Sequence, residues 1–82
     1  MGNVLTVDGF RFFIPPNDHE PDHVHVEKGD FATKIDISGD QAVLMKGEKT
    51  RRAAKDPKLK KRALRLANDN LQKLKAEWRE RQ

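Results

Sequence analysis

The 82-residue chain has room for one domain with a single small core and not for two. It lacks cysteine, which excludes disulfides and thiolate metal ligands, and 37% of its residues are charged, with a formal net charge of +4. Its longest apolar runs, such as Phe12-Phe13-Ile14, fall far short of a membrane span and no secretory-signal pattern is present, so the reading is a soluble, cytoplasmic protein with no membrane partner.

Residues 1–45 read as short strands separated by turns: Val4–Val7, Phe10–Ile14, Val24–Glu27, Ala32–Ile37 and Ala42–Met45. Met1 to Thr6 also match the loose N-myristoylation pattern, but Val4, Leu5 and Val7 are better used as a strand. Asp8-Gly9 is a strong two-residue hairpin signal, because a mirror-type turn needs positive φ at both central positions. Pro15-Pro16 ends the second strand, since proline cannot donate to a ladder. Lys28-Gly29-Asp30 and Ser38-Gly39-Asp40 supply the later turns, which makes an antiparallel meander the simplest connection.

Residues 46–56 form a basic connector, and the periodicity then changes to helical. Asp56 is a candidate N-cap with Pro57 at the first helical position. Leu59, Ala63, Leu66, Ala67, Leu71, Leu74 and Trp78 recur at spacings of three and four, which predicts one amphipathic helix over 57–81. At about 1.5 Å per residue it would outrun a small sheet, so one end projects or a second copy of the chain packs there. The expected fold is therefore α+β: a single domain in which a small antiparallel meander of three to five strands packs against one long C-terminal helix.

The charge is polarised. Residues 1–45 carry three bases against eight acids, whereas residues 46–65 carry ten bases against two acids. Arg51, Arg52, Lys55, Lys58, Lys61, Arg62 and Arg65 are the candidate nucleic-acid contacts. Lys58, Lys61, Arg62 and Arg65 are spaced i, i+3, i+4, i+7 and so share a helical face beside the apolar stripe. Stacking aromatics are absent from this stretch. An acidic protein partner and a merely solvated surface are the competing readings of the same charges.

All three histidines, His19, His23 and His25, fall within seven residues among carboxylates. If Val24 and Val26 face the core, alternation turns His23, His25 and Glu27 to the other side, with the two imidazoles about 6.5 to 7 Å apart at the backbone. His19 lies in the preceding loop, and Pro21 biases Glu20 to an extended conformation that could swing the His19 ring back over the strand. Three roles stay open. With Asp18 or Asp22 the rings could bind a divalent metal such as zinc. His23 and His25 could be catalytic, as general acid and base in RNA cleavage. The rings could also simply hydrogen-bond the turn and fix its shape. The first strands leave Phe13 facing away from Phe10 and Phe12, as a candidate exposed contact, while Trp78 completes the apolar stripe of the helix.

Phe12-Phe13-Ile14, the run from Asn17 to Val26, Gly29 before a strand, and Asn70, Leu74 and Trp78 on the C-terminal helix carry a resemblance. From about Phe10 to Trp78 the chain resembles the bacterial domain-of-unknown-function family 4160. Members carry a similar D-H-x-P-P-H-x-H-V core, where this chain departs by having Asp22 at the usual second proline. The resemblance implies a small bacterial protein associated with toxin–antitoxin-like pairs, and no established reaction. Combined with the residues, it suggests a module that binds nucleic acid, RNA rather than DNA, or a small cognate protein. The sharper version is an RNA-cleaving toxin. The alternatives are a non-enzymatic adaptor or antitoxin-like module, and a small metal-binding protein.

Overall fold

In the computed structural model of the chain, residues 3–14, 21–45 and 57–81 are described. Five strands come first: β1 (Asn3–Val7), β2 (Phe10–Phe13), β3 (His23–Lys28), β4 (Phe31–Asp36) and β5 (Val43–Leu44). Two helices follow, α1 (Pro57–Asp69) and α2 (Leu71–Arg81). The strands form one sheet in chain order, every neighbouring pair antiparallel, so the fold is the α+β meander expected.

The turns explain the order. Asp8 and Gly9 have φ of 52° and 81°, the positive pair that a tight hairpin with the sheet's right-handed twist requires. Between β3 and β4 Gly29 takes a positive φ of 56° without a positive neighbour, the glycine-first form of hairpin turn. In β1 the register shifts between Asn3 and Leu5, leaving Val4 as the extra residue of a β-bulge. Beyond β4, Asp36 folds its carboxylate back onto Ser38, accepting from the Ser38 amide at 2.8 Å and its hydroxyl at 2.6 Å, which ends the strand.

Alternation divides the sheet into two unlike faces. Phe10, Phe12 and Ile14 join Val24, Val26, Phe31, Ile35 and Ile37 on a face that is almost wholly withdrawn from solvent. Ala63, Leu66, Ala67, Leu71, Leu74 and Trp78 of the helices close the core, with Leu59 partly buried at its margin. Phe10 meets Phe31 edge-on with ring centroids 6.0 Å apart. The opposite face pairs Arg11 with Glu27, Phe13 with His25 and His25 with Lys34 across neighbouring strands, and these residues are exposed or half-buried.

Two expectations require correction. The single long helix is two: it breaks at Asn70, whose amide is shared between the carbonyls of Leu66 and Ala67 at 3.2 Å each. Asn68, Asp69 and Asn70 are poor helix formers because their side chains compete for backbone groups, and here Asn68 and Asn70 donate back to the carbonyls of Leu64 and Leu66. The break lets α1 pack on β4 and α2 on β3. The last strand is also shorter than Ala42–Met45, because the Ala42 amide donates to Asn68 Oδ1 at 2.8 Å instead of to a ladder. Residues 46–56, and with them the proposed N-cap Asp56, lie outside the described residues, while Pro57 does open α1.

Candidate functional site

Two clusters contain residues singled out from the sequence. The first is built on β3. Val24 and Val26 are fully buried and His25 between them is half-buried, as alternation predicts, but His23 is buried as well. The two rings thus differ. His23 is only 4% exposed, against a half-buried His25. His23 Nδ1 lies 2.8 Å from the Pro21 carbonyl oxygen, and a ring nitrogen facing a carbonyl must carry the proton and donate. Trp78 from α2 lies against the same ring, centroids 5.2 Å apart.

The rings continue as a row across the sheet. His23 and His25 are 5.3 Å apart and tilted by 48°. His25 stacks on Phe13 at 5.2 Å and 25°, and the Arg11 guanidinium sits 5.0 Å from the Phe13 centroid while pairing with Glu27. Phe13 is thus half-buried between Arg11 and His25 rather than an exposed contact. The row runs from a solvated cation into the core. Beside it, Pro21, Asp36, Val43, Leu44 and Met45 line a hollow of about 360 Å³, with Val43 half-exposed on its rim.

Of the residues considered for metal binding, His19 and Asp18 lie outside the described residues. Asp22 is half-buried and gives its backbone carbonyl to the Ile37 amide at 2.9 Å. Among the described residues, no three histidine or carboxylate side chains converge as a metal-binding group.

The second cluster is the exposed side of α1. Lys58, Lys61, Arg62 and Arg65 line a shallow cavity of about 220 Å³, as their helical spacing requires. Arg51, Arg52 and Lys55, expected to extend this surface, lie outside the described residues. Among the described residues Arg62 alone of the four has a carboxylate partner, Asp8 in the β1–β2 turn. Lys28 approaches the same turn from β3, donating to the Asp8 carbonyl at 3.0 Å with its ammonium 4.8 Å from the Phe10 centroid. Sequence reasoning missed Asp8 and Lys28 as neighbours of the cationic face, and Trp78 as the partner of His23. Each pairing joins residues far apart in the chain, so spacing carries no local sign of it.

No curated protein and no solved structure matches the chain. Residues 9–79, which span β2 to α2 and hold both clusters apart from Asp8, match the family model described as domain of unknown function (DUF4160), and the chain belongs to that family.

Proposed function

We propose that the protein is a small module of the bacterial toxin–antitoxin kind that binds nucleic acid, RNA in preference to DNA, through the exposed face of α1. The observation that carries the reading is the shared cavity of Lys58, Lys61, Arg62 and Arg65: four cations on one rigid helix, three of them without a carboxylate partner among the described residues. Phosphates supply the complementary charge, and binding releases counterions from the strand. The toxin–antitoxin setting is the part of this proposal that the family resemblance suggests and the geometry does not address. Three phosphates neutralised on a single strand weaken binding roughly twentyfold between about 50 and 200 mM salt. Fluorescence anisotropy with labelled RNA and DNA strands measures this. Replacing Lys58, Lys61 and Arg65 by glutamate should abolish binding, and salt-independent affinity or unchanged binding by that variant would remove the reading.

A second reading keeps His23 and His25 as the acid and base of an RNA-cleaving site, favoured by their 5.3 Å separation. Burial of His23 and its bond to Pro21 favour the scaffold role instead. Cleavage of RNA by the purified protein that disappears in His25→Gln would establish the catalytic reading over the scaffold one.

A further inference from the structure

The Asp8–Arg62 pair joins the sheet to the cationic helix in a way that bears on how the helix is used. Asp8 occupies a left-handed turn position at φ 52°, and its carbonyl is held from β3 by Lys28 Nζ. The Lys28 stem runs along Gly9, where an added Cβ would stand 3.2 Å from the Lys28 Cε. The carboxylate is therefore carried on a braced hairpin and directed at Arg62, one of the four residues lining the α1 cavity. Both partners stay about half-exposed, so the pair is open to competition from solvent ions.

A guanidinium receives a carboxylate and a phosphate through the same fork of N–H donors. We infer that the Asp8 carboxylate stands where a ligand phosphate binds, as an internal counter-ion that a nucleic-acid strand displaces from Arg62. The inference rests on the reading of α1 as a nucleic-acid-binding face and adds its regulation. Asp8 lowers the affinity of the cavity, so an isolated anion competes poorly, whereas a strand engaging Lys58, Lys61 and Arg65 at once carries a phosphate to Arg62 at high local concentration. The hairpin and the helix are thereby coupled. Occupation of the cavity breaks the contact by which the β1–β2 turn touches α1.

The test compares the wild type with Asp8→Asn, in which asparagine keeps the left-handed turn conformation while removing the charge. With a fluorescein-labelled polyuridine strand at low salt, Asp8→Asn should bind roughly fivefold more tightly, the worth of one unit charge at contact distance in water. Its logarithmic salt slope should stay close to that of the wild type, since a phosphate meets Arg62 in both proteins. In the Arg62→Gln background the gain should shrink towards nothing. Glu27→Gln, which removes an equal charge from the other face of the sheet, should bind as the wild type does. An equal gain in the Arg62→Gln background or from Glu27→Gln overturns the inference, since either makes it a matter of net charge. If the wild type binds and Asp8→Asn binds no more tightly, the inference falls and the α1 reading stands. Absence of binding by both proteins at low salt overturns the two together.

Discussion

His23 and His25 differ by two positions and by most of what matters physically. His23 has exchanged water for a carbonyl, an indole and a second imidazole, so its removal would leave both a cavity and an unpaired Pro21 carbonyl. We expect His23→Ala to lower stability by about 2 to 3 kcal/mol and His25→Ala by less than about 1 kcal/mol, as read from urea unfolding midpoints. Equal losses would show that the two rings share one environment. Thr33 is the converse case. It lies 6% exposed on the core face, paired across the sheet with Val26, and its hydroxyl has no hydrogen-bond partner among the described residues. Thr33→Val removes an unsatisfied polar atom without changing the shape, and should raise stability by about 1 kcal/mol in the same assay. A loss would mean that the hydroxyl is satisfied in solution.

At the scale of elements, the helical break at Asn70 and the short β5 are linked through one side chain. Asn68 stands near the end of α1, and its Oδ1 receives the amide of Ala42, immediately before β5. Asn68→Ala should therefore cost about 1 to 2 kcal/mol. It should also speed hydrogen exchange at the Ala42 amide more than at Ile35, which distinguishes loss of this tether from general loosening. The strands were largely legible in the chain because Val24, Val26 and Ile35 alternate with polar neighbours and Phe10 and Phe12 flank Arg11, and because Asp8-Gly9 admits few turns other than the one observed. The apolar stripe from Ala63 to Trp78 was legible for the same kind of reason. The break was not, since a continuous stripe and three weak helix formers point in opposite directions, and packing on two different strands decides between them. Nor was the unequal fate of the histidines: strand periodicity states which side a ring faces, but not that Trp78, 55 positions beyond His23 in the chain, will cover it.

Across the whole molecule, the acidic first half and the basic α1 meet at an exposed contact, with Asp8 against Arg62, while Arg11 and Glu27 pair within the sheet. Such pairs hold little folding energy, because water solvates both partners and salt screens them. Stability should accordingly change by less than about 1 kcal/mol between low and high salt, measured by urea unfolding, even as affinity for a polyanion falls steeply. A strong salt dependence of unfolding would mean that the charges shape the fold itself. The ring row has a practical consequence as well. Trp78 is the only tryptophan, lies 4% exposed and rests against His23 at the start of β3, so intrinsic emission comes from a single indole at the junction of sheet and helix. Detachment of α2 from the sheet would shift that emission to longer wavelength, giving the native protein its own optical gauge of whether its two layers are closed.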